Sequence, residues 1–295
     1  MFDLHIHSLY SNDGEYSPTD LVRQCVKSGI NVMAITDHNT VAATGEAKKS
    51  ALEHNIDYIP GIEIDCTFKN TNFHVLGLGI NFNDAVYKEI ENNIRTQGQT
   101  ISYARLQKIR ELGFNIKEDD LHALSKHSFW PETWTGEMFA EIVLNHPDYK
   151  DHPLLKPFRS GGERSDNPLA NFYWDFFAQG RSCFVKASYP DMTNIIDIIH
   201  QTHGYAVLAH PCVNLKGKMQ LLTDIIKAGI DGIEAFSSYH TKEQAAYIFD
   251  IVKQNHLFTT CGSDYHGKIK PAIRLGQHHC TLTAEEMEKQ LISLL

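Results

Sequence analysis

The stretch FDLHIHSLYSNDG, residues 2–14, alternates apolar and polar residues and then enters a polar loop that ends in glycine. In a β-strand, residues two apart share a face, so Asp3, His5 and His7 lie on one side and the apolar residues on the other. Two imidazoles at this spacing can hold one metal ion, but two hydrogen-bonded structural histidines would give the same pattern. The other strands of the chain decide between these interpretations.

Apolar, β-branched segments alternate with amphipathic helical segments through most of the chain, which indicates a parallel sheet with helical crossovers. The first helix signal is Ser17 followed by Pro18, a pair typical of a helix start. The predicted strands are 2–7, 31–36, 57–66, 73–80, 205–210, 231–236 and 257–263. Their number and order predict an α/β barrel.

Metal-type residues recur where the predicted strands end. The segments AITDHNT, PGIEID, FHVLGLG, AVLAHP and TTCGSDYHG bring His38, Glu63, His74, His210, Asp264 and His266 to these positions. Buried polar groups are costly unless they are paired, and a shared metal cluster would neutralise them together. Parallel barrels also place their active sites at the C-terminal ends of the strands. The repeated arrangement therefore favours a metal centre over isolated structural histidines.

Composition limits the partners of the protein. The formal net charge is −9 and no block of Lys or Arg is present, which argues against a large nucleic-acid footprint. The six cysteines form no C-x-x-C pair, so neither a disulfide framework nor a zinc ribbon is indicated. Because the chain has neither a membrane-length apolar run nor a signal-peptide pattern at its start, we expect a cytoplasmic protein that does not enter a membrane.

The alternation of strands and helices stops between about residue 83 and residue 185, where a long helical stretch leads into a segment rich in Trp, Pro, His and Gly. We therefore predict a catalytic barrel formed by residues 1–82 and 186–295, and a mainly helical insertion or cap, residues 83–185, that shapes substrate specificity. The candidate substrate contacts are Arg159, Arg164 and Arg181 in the cap, whose guanidinium groups suit phosphate, and His240 after the sixth predicted strand.

The ordered motifs DLHIHSLYSNDGEYSPTDL, AITDHNT, PGIEID, FHVLG, AVLAHP and GSDYHG resemble those of the polymerase and histidinol phosphatase (PHP) family of metal-dependent phosphoesterases. The resemblance covers residues 1–80 and about 185–280, and it implies a distorted (β/α)7 barrel with two to three divalent ions. The implied ligands are His5, His7, Glu63 and Asp264 for one ion, Glu63, His74 and His210 for a second, and His38, His266 and an acidic residue of the opening loop for a third. Mixed imidazole and carboxylate ligands suit zinc, manganese and iron about equally.

The opening loop leaves its acidic ligand open between two positions. Many members of the family have a loop one residue shorter, which by count would place the ligand at Asn12. A neutral amide is a poor ligand beside an available carboxylate, so we predict Asp13, with Gly14 easing the bulge that this requires. Asp37 and Glu234 fall outside the implied ligands, and we predict that they support the ligands or the substrate.

Within the family the chain resembles the stand-alone phosphoesterases. The predicted reaction is hydrolysis of a small phosphomonoester, such as a nucleotide or nucleoside bisphosphate, by a hydroxide between two ions that Glu63 and Asp264 bridge and position. One alternative is a phosphodiesterase or 5′-3′ exonuclease acting on short oligonucleotides. A non-catalytic metal-binding module is another, although no ligand position is lost here, and an amide hydrolase on the same fold is more distant.

Overall fold

A computed structural model describes residues 1–291 of the chain. Its strands are β1 (Phe2–Ile6), β2 (Val32–Ile35), β3 (Asp57–Tyr58), β4 (Gly61–Phe68), β5 (Thr71–Leu78), β6 (Tyr205–Leu208), β7 (Gly232–Ser237) and β8 (Phe258–Gly262). Its α-helices are α1 (Pro18–Lys27), α2 (Thr44–Glu53), α3 (Ala85–Glu111), α4 (Glu118–Ser125), α5 (Gly136–Asn145), α6 (Pro168–Phe176), α7 (Met192–Gln201), α8 (Pro211–Asn214), α9 (Leu221–Lys227), α10 (Lys242–Gln254) and α11 (Ala284–Leu291). Short 3₁₀ helices span Leu9–Ser11, Pro147–Tyr149, Pro153–Phe158 and Gly267–Ile269.

The strands form two sheets. β1, β2 and β3 make a parallel three-stranded sheet, and β4 to β8 make a five-stranded sheet in chain order. In the second sheet β4, β5 and β6 pair antiparallel, whereas β6, β7 and β8 pair parallel. The predicted α/β class is therefore confirmed, whereas the predicted (β/α)7 barrel is not, because the strand ladder of residues 1–291 does not close into one sheet.

The departure from a regular barrel begins at the hairpin between β4 and β5, where the sequence analysis predicts a parallel sheet with helical crossovers. β4 and β5 are connected by Lys69 and Asn70, both with positive φ (48° and 61°), as a tight hairpin turn requires. A parallel connection needs a crossover of about ten or more residues, so this loop forces the two strands to run antiparallel. The predicted strand 57–66 is also broken, because Pro60, which cannot donate a ladder hydrogen bond, separates β3 from β4.

The two sheets meet at both seams through isolated backbone contacts. At one seam His7 donates its backbone N–H to the Tyr265 carbonyl (3.0 Å) and Asp264 donates to the His5 carbonyl (2.8 Å). At the other, Glu63 donates to the Asp37 carbonyl at 3.1 Å. These contacts lie next to the predicted ligands, so the seams bring both groups of strand ends to one place.

Two apolar cores support different parts of the molecule. The largest buried cluster lies between β1, β2, β4 to β8 and the helices packed on them, including α7 and α10. A separate buried cluster uses only residues between Leu106 and Cys183, so the cap packs on its own core. Helix α3 contributes to both: Tyr87 and Ile90 lie in the sheet core, and Leu106 and Ile109 lie in the cap core. No helix among residues 1–291 combines the length and apolarity needed to cross a membrane.

Candidate metal centre

Four buried side chains form the first cluster at the strand ends. The Nε2 atoms of His5 and His7, both on the β1 side, lie 3.1 Å apart. Each lies 3.1 Å from Glu63 Oε2, and they lie 3.3 and 3.1 Å from Asp264 Oδ1. All four residues are almost inaccessible to solvent. The alternation in β1 thus directs both imidazoles to one point, as its sequence predicts.

The other oxygen of Glu63 faces a second pair of histidines. Glu63 Oε1 lies 2.8 Å from His74 Nδ1 and 3.1 Å from His210 Nε2. His74 comes from β5, and His210 immediately precedes α8. A single carboxylate therefore stands between two groups of imidazoles, which is the position of a bridging ligand.

The third cluster contains the acidic residue of the opening loop. Asp13 Oδ2 lies 3.4 Å from His266 Nε2 and 3.7 Å from His38 Nε2, close to His7. Burial would raise the pKa of Asp13, but the neighbouring His266 and His38 hold it well below its usual value. Asn12 instead pairs with the backbone of Trp130, accepting its N–H at 3.0 Å and donating to its carbonyl at 3.1 Å. The loop thus presents the carboxylate, and not the amide, to the histidines.

Two of these side chains are held on an unusual backbone. Asp264 has φ of 55° and His210 has φ of 26°, both in the left-handed region that non-glycine residues rarely occupy. Such strain persists only where the surrounding structure fixes it, and it concentrates at functional sites. A hydrogen bond from Asp264 N–H to the His5 carbonyl and one from His210 N–H to Glu234 Oε2 (2.8 Å) hold the two residues in place.

The imidazoles are oriented by partners on their far sides. Glu234 Oε1 accepts from His5 Nδ1 at 3.0 Å, and Ser11 Oγ lies 2.9 Å from His7 Nδ1. Each contact leaves Nε2 free to face the cluster, an arrangement that ligating histidines commonly show. Burial would lower the pKa of His7, but its bonds with Asp264 and Glu63 raise it to about 9.

The structure also brings in residues that the sequence analysis missed. Asp65 Oδ1 lies 3.1 Å from His74 Nε2, and Asp264 Oδ2 accepts from Lys270 Nζ (2.6 Å) and from the Tyr239 hydroxyl (2.7 Å). The strand period could have found Asp65, because it lies two residues after Glu63 on the same face of β4. No local pattern marks Lys270 or Tyr239.

Several predicted residues have other contacts. Arg159 donates to the Leu144 and Tyr149 carbonyls inside the cap, and Arg164 pairs with both oxygens of Asp175. Arg181 is exposed. The predicted substrate contact therefore does not match the placement of Arg159 and Arg164, whose guanidinium groups serve the cap.

A predicted substrate contact, His240, and a predicted supporting residue, Asp37, have contacts of their own near the centre. His240 is buried, with Nδ1 bonded to the Ala235 carbonyl (2.9 Å) and Nε2 accepting the Cys212 N–H (3.3 Å), so its ring has no nitrogen left for a substrate. Asp37 accepts from both the backbone and the hydroxyl of Ser8, each at 2.6 Å. It therefore fixes the loop that follows β1 instead of orienting an imidazole.

The donor set fits divalent transition metals. Ten carboxylate and imidazole side chains, Glu63 and Asp65 among them, form overlapping groups here, and Asp13 Oδ1, although buried, has no hydrogen-bond partner within residues 1–291. Burial would raise the pKa of Glu63, but His5, His38 and His74 hold it well below its usual value. Burial would lower the pKa of His5 and His74, but Glu63 raises both in turn. An ion bound here would replace the positive charge of such ring protons, since metal binding displaces protons from its ligands.

The family assignment follows from comparison with known sequences. The PHP domain model matches residues 3–258, which is most of the chain. The chain belongs to the PHP family. As a PHP phosphoesterase it is a metal-dependent hydrolase, in agreement with the clustered histidines and carboxylates.

The relatives of this PHP protein differ in the activities for which they are named. It is 30% identical over 268 residues to a 5′-3′ exoribonuclease of Haemophilus influenzae (90% of this chain, 89% of the relative). Identity is 26% over 280 residues to a phosphoribosyl 1,2-cyclic phosphate 1,2-diphosphodiesterase of Eggerthella lenta (93% and 97%). It is 23% over 271 residues to a 3′,5′-nucleoside bisphosphate phosphatase of Chromobacterium violaceum (90% and 86%).

The fold is similar to that of solved PHP-like structures. A crystal structure from Bifidobacterium adolescentis, of a protein inferred to be a metal-dependent phosphoesterase, superposes with a TM-score of 0.78. The match covers 100% of this chain and 96% of the other at 22% identity, so it bears on the fold alone.

Proposed function

We propose that this PHP protein hydrolyses a small phosphomonoester, with a nucleotide or nucleoside bisphosphate as the favoured substrate class, at two or three divalent ions. The observation that carries the proposal is the position of Glu63, whose two oxygens face different groups of histidines. One carboxylate placed in this way can bridge two ions, as two-metal phosphoesterases require. The proposed ligands are the nine predicted ones: His5, His7, Asp13, His38, Glu63, His74, His210, Asp264 and His266.

The chain's own residues would then keep the centre rigid. Divalent ions bound at such a site supply positive charge for the phosphoryl oxygens and a water of lowered pKa. Lys270 and Tyr239 hold Asp264 Oδ2, so that Oδ1 points toward His5 and His7. Fixed charges and hydrogen bonds of this kind stabilise a transition state without reorganising during the reaction.

The cap contains a cation, Arg105, that is a candidate for phosphate binding. Arg105 on α3 donates to the Trp134 carbonyl at 3.2 Å, whereas its Nε has no partner within residues 1–291. Burial raises the pKa of Tyr173, while the charge of Arg105 opposes this shift and Asp13 and Asp65 add to it. Tyr173 is therefore influenced both by Arg105 and by carboxylates of the centre, and on this ground we propose Arg105 as the phosphate contact in place of the predicted cap arginines.

A small substrate fits the closure of the cap. The Asn12 amide ties the opening loop to Trp130, and Lys268 pairs with Glu141 of the cap at 3.0 Å. The net charge of −9 also disfavours a long polyanion. Both observations favour a mononucleotide-sized ligand over an extended strand.

A 5′-3′ exonuclease acting on short RNA is the second candidate function. The 30% identity to the Haemophilus influenzae exoribonuclease over nine-tenths of each chain favours it. The two candidates share a chemical feature, because a nucleoside 3′,5′-bisphosphate carries the same two phosphate positions as the first nucleotide of a 5′-phosphorylated RNA. One centre could therefore accept both, and their relative rates distinguish the candidates.

A matched substrate panel with added Mn²⁺ or Zn²⁺ tests the proposal. We would compare a nucleoside 3′,5′-bisphosphate, the corresponding 5′-monophosphate, and 5′-phosphorylated RNAs of two and five nucleotides. We expect phosphate release from the bisphosphate with kcat/KM at least about tenfold above that for the pentanucleotide, and loss of activity with a chelator. Faster release of mononucleotides from RNA would support the second candidate, and no cleavage of any substrate would contradict both.

The bridging role of Glu63 has its own test. Glu63→Gln keeps the shape but loses the charge shared by the two histidine groups, so we expect kcat/KM to fall by at least about 10³-fold and bound metal to decrease. Glu91→Gln is the matched control, because Glu91 is a buried carboxylate bonded to Thr40 outside the centre. Full metal content and activity in Glu63→Gln would show that Glu63 is not a bridge.

A further inference from the structure

A second group of metal-type side chains lies away from the PHP centre, with which it shares no residue. Cys261 lies in β8, and His278 and Cys280 lie in the segment between the Gly267–Ile269 turn and α11. A ligand atom of each lies within 4.8 Å of the other two. Cys261 and His278 are buried, and Cys280 is partly buried. None of the three has a role in the proposed hydrolysis.

The tautomer of His278 is fixed by its surroundings. Its Nε2 lies 2.7 Å from the Phe2 carbonyl oxygen, which can only accept, so Nε2 carries the proton. Nδ1 therefore has a lone pair, which accepts the Cys280 backbone N–H at 3.2 Å. Ligating histidines commonly donate their second N–H to a carbonyl in this way. A bound ion would use the Nδ1 lone pair and would displace the Cys280 N–H, the longer of the two hydrogen bonds of the ring.

The cluster borders an open space. A cavity of about 400 Å³ is lined by its three side chains together with Met1, Phe2 and Met287. Three protein ligands beside a cavity leave room for water at a fourth coordination position. The proximity of the two thiols lowers the pKa of Cys280 and raises that of Cys261.

We propose that Cys261, Cys280 and His278 bind one thiophilic divalent cation, zinc in the first instance, at a site separate from the PHP centre. Two thiolates and one imidazole are a ligand set that zinc favours, whereas the centre around Glu63 offers only nitrogen and oxygen. Binding releases the protons of the two thiols and leaves the ion neutralised by two negative sulfurs. The ion would join β8 to the segment before α11. Through the bond of His278 to the Phe2 carbonyl it would also be linked to the start of β1, the strand that carries His5.

Cobalt(II) is the probe that separates the two sites, because thiolate ligation gives a near-ultraviolet charge-transfer absorption that nitrogen and oxygen ligands do not. We expect wild-type protein, reduced and freed of metal, to develop this absorption with the amplitude of one thiolate-bound cobalt per chain. Zinc should abolish it by competition. Cys261→Ser and Cys280→Ser should lose it, whereas the matched control Cys183→Ser, a buried cysteine of the cap, should keep it.

The outcomes are decisive in either direction, and they do not depend on the hydrolytic activity. Absence of the charge-transfer absorption while the visible absorption shows cobalt in the PHP centre would overturn the proposal, as would its persistence in both cluster variants. Should those variants fail to fold, alkylation of wild-type protein replaces them. Zinc should protect the partly exposed Cys280, but not the partly exposed Cys212, from an alkylating reagent, as measured by peptide mass spectrometry. Equal labelling of Cys280 with and without zinc would overturn the site.

Discussion

The strand ends around Glu63 and the cap differ in how they use charged side chains. At the strand ends, ring nitrogens from distant segments converge on Glu63 and Asp264, and every partner is itself buried or half-buried. In the cap, Arg159 donates to two backbone carbonyls and Arg164 pairs with Asp175, so each guanidinium group finds its partners within the cap.

The difference shows which buried polar groups serve the packing around them and which do not. Cap residues between 106 and 183 bury an apolar cluster, and their polar groups serve its loops. Next to Glu63, the Nε2 atoms of His5 and His7 lie 3.1 Å apart. Two buried ring nitrogens this close cost free energy unless a proton or a bound ion between them compensates. We therefore infer that the strand ends carry the chemistry and that the cap selects what reaches them.

Among the tests that compare the strand ends with the cap, a change at Glu234, which orients two of the proposed ligands, should have the largest effect. Glu234 accepts from both His5 Nδ1 and the His210 backbone N–H, and Glu234→Gln turns one of these acceptors into a donor. We expect metal affinity or kcat/KM to fall about 10–100-fold, as measured by metal titration and steady-state kinetics. Glu91→Gln again serves as the buried-carboxylate control. Unchanged metal affinity would mean that Glu234 orients neither histidine.

A buried cap carboxylate should give a smaller effect, visible in stability. Burial, and then the charge of Asp13, raise the pKa of Glu137 from 4.5 to about 7. The folded protein therefore holds this proton more tightly than the unfolded chain, and stability falls as pH rises through about 4.5–7. We expect Glu137→Gln to stabilise the metal-free protein on the order of 1–3 kcal/mol at pH 8 and to have little effect near pH 4.5.

Denaturant unfolding of chelator-treated protein at the two pH values measures this change. Glu141→Gln, on the same helix but paired with Lys268, is the matched control and should show no such rise at pH 8. Equal stability of wild type and Glu137→Gln at both pH values would place the Glu137 carboxyl in a solvated environment.

Most residues of the strand-end cluster are marked by a short-range sequence pattern. Period-two alternation places His5 and His7 together, and His210 and Asp264 each lie two residues after an apolar strand, β6 and β8. Glu63 differs from its prediction, because it is the third residue of β4, which continues to Phe68. The strand connections are less well marked. The Lys69–Asn70 hairpin makes β5 run antiparallel to β4. Six residues separate the two predicted strands, which is too few for a helical crossover, but the prediction of a parallel sheet does not use this signal.

The cap could not be predicted to the same depth. Arg159, Arg164 and Arg105 look alike in the sequence. Only tertiary packing decides that the first two serve the cap and that Arg105 contacts the Trp134 carbonyl and lies over the Phe177 ring. Lys270 and Tyr239 reach Asp264 for the same reason, through contacts that no local period specifies.

Removing the hydrogen bonds that join the opening loop to the cap should have a moderate effect. Asn12 has φ of 61° and binds the Trp130 backbone through both atoms of its amide. Asn12→Gly keeps the backbone accessible and removes only the tie, so we expect KM to rise about 3–10-fold with kcat changed less. Asn55→Gly, at φ of 55° after α2, is the control for the backbone. An unchanged KM would show that the loop and cap act independently.

The smallest effect should come from the cap's own ion pair. Arg164 contacts Asp175 at 2.9 and 3.0 Å, and both side chains are about one-third exposed (34%), so Arg164→Ala should cost at most about 1 kcal/mol of unfolding free energy and leave kcat/KM within about twofold. Asp175→Ala should match it, and the double variant should show that the two changes are not additive. If Arg164→Ala instead raised KM tenfold while Asp175→Ala did not, the arginine would be leaving Asp175 to meet substrate. The cap would then bind phosphate through Arg164 as well as the proposed Arg105, and the contrast with the strand ends would have to be redrawn at that residue.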